Sequence, residues 1–254
     1  MPSVEELYDL SEYPFNQEDK ALLKKAYDVA YKAHYNQKRD SGESYFNHVF
    51  ETAKNLIRLG MDAKTISAGL LHDTIEDTSI TEENLKKEFG IEITSLVKGI
   101  TKLSNIKYQG RERHVESLRK FFLAMANDIR VVVIKIADRL HNAKTLQYKT
   151  PEKQKRIALE TIEIHARLAD RLGMGKLKGE LEDAAFPYAY PKEYTQIEEI
   201  IKEKKGLYER HLMEIRERLE KELAKNKIKL IETNYRIKHK YSLYKKLLRY
   251  DMDI

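Results

Sequence analysis

The chain has 254 residues, with 47 Lys+Arg against 41 Asp+Glu, so 35% of it is charged while the net is only +6. Cysteine is absent, which excludes a disulfide framework, thiolate zinc sites, iron–sulfur clusters and a cysteine nucleophile together. No apolar run approaches the roughly 18 residues of a membrane span and the start has no basic-then-apolar leader, so the expectation is a cytoplasmic protein with a substantial core.

Apolar residues recur at three- and four-residue steps almost throughout, as in Leu22, Ala26, Val29 and Ala30 and again in Val49, Ala53, Leu56 and Ile57. That period predicts an all-α helical bundle. Breaks are expected at Ser41-Gly42, Gly60, residues 79–81, Gly90, Gly110, Thr150-Pro151, Gly173 and Gly175, and at Pro187 and Pro191. Thr81, followed by Glu82 and Glu83, reads as an N-cap with an acidic first turn. A helix beginning near Asp62 buries Ile66, Ala68, Leu70 and Leu71 and ends in His72-Asp73-Thr74-Ile75-Glu76-Asp77. Residues 128–142 are apolar nearly all round, which predicts a buried central helix. A long charged helix is expected from about Tyr194 to Lys225, and residues 227–233 alone alternate like a strand. Charge divides the chain as well, since residues 1–190 hold 30 basic and 29 acidic side chains and residues 221–250 hold 10 and 2. The organisation expected is a domain over 1–190, a connector helix over 191–225 and a short basic segment over 226–254.

Chemistry concentrates in four titratable groups at the end of the Asp62 helix, with similar company at His48 and Asp138. Burying one such charge without compensation costs several kcal/mol, so a partner is implied. Two imidazoles and two carboxylates, His48, His72, Asp73 and Asp138, make a nitrogen and oxygen set that suits Mn²⁺, Fe²⁺ or Zn²⁺ and leaves coordination positions for water and substrate. Such an ion supplies what phosphoester hydrolysis needs, an acidified water and a polarised phosphoryl group. Singly, each residue has a commoner structural role: a hydrogen-bonded His48, a helix end at His72-Asp73, a solvated Glu76-Asp77, an Asp138 paired with an arginine. The combination within apolar sequence carries the weight. Asp138, Asn142 and Thr145 share one helical stripe and could meet a nucleoside, although Asn142 as a cap reads equally well. Arg39, in the turn before the His48 helix, could grip a phosphate as a bidentate donor.

The order and spacing of His48, His72-Asp73, Glu76-Asp77 and Ala137-Asp138-Arg139-Leu140-His141-Asn142 resemble the HD-domain phosphohydrolases. The words Arg39-Asp-Ser-Gly-Glu-Ser-Tyr-Phe-Asn-His48, Gly69-Leu-Leu-His-Asp-Thr-Ile-Glu-Asp-Thr78, Val97-Lys-Gly-Ile-Thr-Lys-Leu103, Ala124-Met-Ala-Asn-Asp-Ile-Arg-Val132, Lys135-Ile-Ala-Asp-Arg-Leu-His-Asn142 and Gly179-Glu-Leu-Glu-Asp183 narrow this to the hydrolase domain of the RelA/SpoT stringent-response family, over about residues 34–194. The resemblance implies Mn²⁺-dependent removal of the 3′-pyrophosphate from ppGpp or pppGpp, giving GDP or GTP and ending the stringent response. His48, His72, Asp73 and Asp138 would then ligate the metal. Glu76 and Asp77 would orient or deprotonate water, Arg39 and Ser41 would face phosphate or base, and Asn142 and Thr145 would line the nucleoside pocket. The partner implied is the alarmone, with no membrane and no specific nucleic acid.

Departures from the family pattern are Asp40 in place of a lysine, Val49 in place of a proline, and residues 166–173, which lack the family's proline and histidine. These are expected to shift affinity more than chemistry. Tyr235-Arg236-Ile-Lys238-His239-Lys-Tyr-Ser-Leu-Tyr-Lys-Lys246 resembles the opening of the family's synthetase domain, whose Mg²⁺-binding acids would fall past Ile254. Synthetase activity is therefore not expected, and 226–254 reads as an incomplete α/β remnant. Alternatives are a general HD nucleotide phosphohydrolase and a non-catalytic guanine-nucleotide-binding module. A nucleic-acid binder, suggested by the basic tail, is the weakest reading.

Overall fold

The computed structural model describes residues 2–104, 112–233 and 237–250, with the backbone alone for 104, 112–118, 120 and 204–209. The break expected at Gly110 and the Tyr235-Arg236 start of the tail motif lie outside the described residues. The regular elements among them are helices, in the order α1 (Glu5–Asp9), α2 (Gln17–Ala33), α3 (Tyr45–Arg58), α4 (Ala63–Leu71), α5 (Thr74–Asp77), α6 (Glu82–Ser104), α7 (Glu112–Asn127) and α8 (Ile129–Lys144). There follow α9 (Pro151–Glu160), a π-helical turn (Thr161–His165), α10 (Ala166–Arg171), α11 (Gly175–Ala189), α12 (Pro191–Lys225) and α13 (Lys240–Leu247). The bundle is all-α, as the period of the sequence predicts.

Local sequence sets the helix starts. Asn16 accepts the Asp19 N–H ahead of α2 at 2.8 Å, and Asp62 accepts the Thr65 N–H ahead of α4 at 2.7 Å. Each satisfies an amide that a helix start leaves orphaned. Ahead of α6 the Asn84 N–H donates to Thr81 Oγ1 at 3.2 Å and the Thr81 N–H donates to Asn84 Oδ1 at 3.0 Å, a reciprocal cap at the expected residue. α6 then bends at Gly90, where a break is expected and the backbone turns to φ 79°.

α8 is the central helix. Val131, Val132, Val133, Ile134, Ile136, Ala137 and Leu140 are all buried on it, and it packs against α3, α4, α6, α7 and α11. Each fully buried Val, Leu or Ile contributes about 1.5–3 kcal/mol. That is ample to place Asp138 in the interior, provided its charge is met there. The buried Asn55 side chain ties α3 to α8 by donating to the Ala137 carbonyl at 3.1 Å.

Three expectations are corrected. The Asp62 helix ends at Leu71; His72 and Asp73 form the joint before α5. Pro187 lies inside α11, and the chain turns instead at Tyr190, with Pro191 opening α12. Residues 227–233 form no strand, because alternation yields one only beside an edge able to pair, and no strand is present among the described residues. The tail instead contributes α13, which joins a second core in which Phe186, Ile197, Tyr241 and Leu247 are buried together.

Two acids of α11 hold this tail. Asp183 Oδ2 lies 2.9 Å from His239 Nδ1 while its Oδ1 accepts the Tyr241 N–H at 3.0 Å, and buried Glu182 pairs with Lys245 at 2.8 Å. Gly179 makes the approach possible, since a Cβ there would strike the His239 ring. Gly179→Ala is expected to open α13 more readily by about 1–3 kcal/mol of overpacking. α11 itself would gain up to about 1 kcal/mol from losing a glycine. Amide exchange across residues 241–247 separates the two effects, and unchanged protection there would contradict the latch.

Candidate metal centre

Three segments carry the site inward. His48 lies in the first turn of α3, His72 and Asp73 at the α4–α5 joint, and Asp138 midway along α8. His48 Nε2 lies 3.1 Å from Asp138 Oδ1 and 3.5 Å from Asp73 Oδ2; His72 Nε2 lies 3.1 Å from Asp73 Oδ2 and 3.8 Å from Asp138 Oδ1. His48, His72 and Asp138 are buried and Asp73 is partly buried. Four atoms thus surround one small volume, and ligand atoms of His48, His72 and Asp138 all lie within 4.8 Å of one another.

The donor chemistry fits a cation. His72 Nδ1 is 2.8 Å from the Gly69 carbonyl and must donate to it, which leaves Nε2 without a proton when the ring is neutral. That Nε2 is buried and makes no hydrogen bond of good geometry. Ligand bonds of about 2.0–2.2 Å place neighbouring donors roughly 3.0–3.6 Å apart, close to the spacings found. Electrostatics agrees. Burial opposes a charge on His72, but the carboxylates of Asp73 and Asp138 outweigh it and lift its pKa to about 9. Burial would likewise raise the two aspartates, yet His72 beside Asp73 and Lys135 beside Asp138 hold both well below the usual carboxylate range. The pocket calls for positive charge, which a divalent ion supplies in place of a proton.

A surrounding layer fixes these groups. The Tyr45 hydroxyl lies 2.7 Å from Asp73 Oδ2 and 2.8 Å from Asp77 Oδ2, sharing one proton between two carboxylates. Burial and those carboxylates raise the phenol's pKa, so it stays protonated. Lys135 Nζ reaches Asp138 Oδ2 at 2.8 Å and the Asn142 amide donates to Asp138 Oδ1 at 2.6 Å. Asp138 therefore has a lysine and not the arginine expected of a lone aspartate. Arg39 donates through Nη1 to His141 Nδ1 at 2.9 Å and through Nη2 to Asn142 Oδ1. His141 is neutral, its pKa pushed down to about 3 by burial, His48 and Arg39.

Arg39 reaches the site from a tight turn. Its N–H donates to the Glu43 carbonyl at 2.9 Å, Lys38 and Ser44 form an antiparallel bridge, and Gly42 supplies the φ of 83° that closes the turn. Of the predicted substrate residues, Arg39 and Asn142 touch each other, and Asn142 also touches Asp138. Thr145 caps α8, its hydroxyl donating to the His141 carbonyl at 3.1 Å. Ser41 stays in the turn, its Oγ accepting the Glu43 N–H at 3.3 Å. A cleft of about 990 Å³, lined by Tyr31, Tyr35, Asn47 and Glu51 among others, meets this region at His141 and Thr145. The four convergent ligand atoms do not line it, and their chemistry, more than the cleft's size, marks the reaction centre. Asp40 pairs with Lys149 at 2.6 Å, so the acidic residue at this position is offset by a nearby lysine.

Tyr45, Lys135 and His141 are absent from the residues that the sequence singles out. Each lies three positions from a predicted ligand, one helical turn away, and that spacing is the signal that could have found them.

The HD-domain family model matches residues 26–175. The chain is 45% identical over 241 residues to the guanosine-3′,5′-bis(diphosphate) 3′-pyrophosphohydrolase of Aquifex aeolicus, a match covering 94% of this chain and 34% of that protein. It is 45% identical over 226 residues to the GTP pyrophosphokinase of Streptomyces coelicolor, covering 89% and 26% respectively. The chain thus spans about a third or less of the length of these relatives. A solved structure of a metazoan SpoT ortholog, described as hydrolysing ppGpp with a role in starvation responses, superposes with a TM-score of 0.50 at 26% identity, over 69% of this chain and 97% of that one. The chain belongs to the HD-domain family. Within it, the chain groups with the RelA/SpoT stringent-response proteins. No described helix is long and apolar enough to cross a membrane.

Proposed function

We propose that the chain hydrolyses the 3′-diphosphate of ppGpp or pppGpp, releasing pyrophosphate and GDP or GTP, at a Mn²⁺ centre held by His48, His72, Asp73 and Asp138. The convergence of two imidazole Nε2 atoms and two carboxylate oxygens at 3.1–3.8 Å carries this reading. When bound, the ion would acidify a water and polarise the scissile phosphoryl group. Every other role falls to the chain itself. Glu76 and Asp77 orient the water and take its proton; the bond from the 3′-oxygen to phosphorus breaks, the water oxygen stays with pyrophosphate, and the 3′-oxygen leaves as a hydroxyl once that proton is passed on to it. Burial first, then Asp73 and Asp77, raises the pKa of Glu76, which suits a general base. Arg39 and Ser41 meet phosphate or base, and Asn142 and Thr145 the nucleoside. The working division is a hydrolase over 1–190, a connector over 191–225 and a synthetase-like segment over 226–254 that makes no ppGpp by itself, in a cytoplasmic protein.

Purified protein with ppGpp and Mn²⁺ is expected to yield GDP and pyrophosphate, and to stop when EDTA is added. Cleavage of other nucleotides with ppGpp untouched would reassign the substrate. Binding of ppGpp without release of pyrophosphate would make the chain a nucleotide-binding module. Incubation with ATP and GDP that formed ppGpp would overturn the statement about synthesis.

A further inference from the structure

The least explained group beside the centre is a third histidine. His141 is buried against His48 on α8, with ring centroids 5.0 Å apart and Nδ1 atoms 2.8 Å apart. Two facing ring nitrogens admit one proton between them, and its location follows from a third partner. Arg39 Nη1 sits 2.9 Å from the same His141 Nδ1, and a guanidinium only donates. His141 Nδ1 is therefore an acceptor, and the proton in the second contact sits on His48 Nδ1. With Nδ1 protonated, neutral His48 has a bare Nε2, the atom 3.1 Å from Asp138 Oδ1 and 3.5 Å from Asp73 Oδ2.

The other arm of Arg39 acts the same way on Asp138. It donates to Asn142 Oδ1, which fixes the amide so that Nδ2 points at Asp138 Oδ1 at 2.6 Å. One guanidinium thus sets the hydrogen-bond polarity around two ligands, His48 on α3 and Asp138 on α8. His141 cannot serve as a ligand through Nδ1, because that lone pair is already committed.

We propose that His141 is a positioning residue of the metal centre, accepting the His48 Nδ1–H and so holding His48 in the tautomer and orientation that present a bare Nε2 to the ion. This rests on the metal centre proposed above but not on the identity of the nucleotide. Partners of this kind hold ligand imidazoles in place, and their loss typically costs about 10- to 100-fold in metal affinity.

The test is Mn²⁺ binding to the full chain without nucleotide, read from the electron paramagnetic resonance of free Mn²⁺, for wild type, His141→Ala, His141→Asn and His141→Gln. An asparagine oxygen falls where Nδ1 stands, whereas a glutamine oxygen falls nearer Nε2. Ala and Gln should weaken Mn²⁺ binding about 10- to 100-fold, while Asn recovers most of the loss. A filler of space would show no such ordering of Asn over Gln. Melting temperatures of the metal-free variants establish folding, and if Ala does not fold the comparison of Asn with Gln decides. Wild-type affinity in folded Ala or Gln, or an Asn no better than Gln, would overturn the proposal. Wild type that binds Mn²⁺ but leaves ppGpp intact would defeat the proposed reaction and leave His141's role standing; wild type that binds no Mn²⁺ would overturn both.

Discussion

Replacing Asp73 with alanine is expected to abolish metal-dependent cleavage of ppGpp and to weaken Mn²⁺ binding by more than the about 10- to 100-fold that loss of a supporting neighbour costs. Asp73 Oδ2 is the one carboxylate oxygen within 3.5 Å of both imidazole Nε2 atoms among the described residues. Its removal leaves two imidazoles and Asp138, and Asp138 already shares its charge with Lys135. The site therefore loses the carboxylate that is least offset by a neighbouring cation, and with it much of the negative potential that draws a metal ion. The fold should survive. Asp73 lies at a joint between helices, and Tyr45 keeps Asp77 as a partner when Asp73 is gone. Asp73→Asn separates charge from hydrogen bonding, because the amide oxygen still accepts from Tyr45 while the charge is lost; it should fail almost as badly as alanine. Mn²⁺ titration together with pyrophosphate release measures both effects, and wild-type turnover in a folded Asp73→Ala protein would sink the ligand assignment.

The sequence made the ligand set more legible than its surroundings, for a physical reason. A buried charge is conspicuous against an apolar helix, so Asp138 between Ile136 and Leu140, and His72-Asp73 after Leu70-Leu71, announce themselves. The period of the apolar residues likewise predicts α2 and α3, since burial of one helical face leaves a regular trace, and the all-round apolar run of residues 128–142 predicts the buried α8. Tyr45 and His141 leave none. Their work lies in a hydroxyl bridging two acids and a ring nitrogen facing another ring, contacts whose partners lie 28 to 93 positions away. Lys135 is masked differently, since a lysine within a helix reads as a solvated charge until the fold turns it onto Asp138. Residues 227–233 failed for the converse reason: their alternation is a property of the segment, whereas a strand is a property of a pair. The role of Gly179-Glu-Leu-Glu-Asp183 was equally hidden, because Glu182 and Asp183 acquire meaning only when Lys245, His239 and the Tyr241 amide arrive from some 60 residues downstream.

Glu76→Gln is expected to lower kcat by about 10²- to 10⁴-fold, the usual worth of a positioned general base, while Mn²⁺ binding stays near wild type. Glu76 lies one helical turn after Asp73, so its carboxylate emerges on the same side of the joint without joining the four convergent atoms. Asp77 is the more restrained of the pair, its carboxylate held by Tyr45 and its carbonyl accepting from Gln37 Nε2 at 2.6 Å. Restraint suits orientation of a water, and a carboxylate beside two others suits acceptance of a proton. Burial, then Asp73 and Asp77, moves the Glu76 pKa upward, and the sign of the pH dependence follows. The base works ionised, so activity is present above that raised pKa and is lost as pH falls through it. The acid limb of the wild-type profile should therefore lie above the ordinary glutamate range, and Glu76→Gln should remove it. Glutamine keeps the volume and one acceptor oxygen, so a rate loss at saturating Mn²⁺ reports the missing proton acceptor. If the variant instead lost its Mn²⁺, Glu76 would belong among the ligands. If kcat and the acid limb were both unchanged, the proton would pass to Asp77, and Asp77→Asn would then show the loss expected here of Glu76.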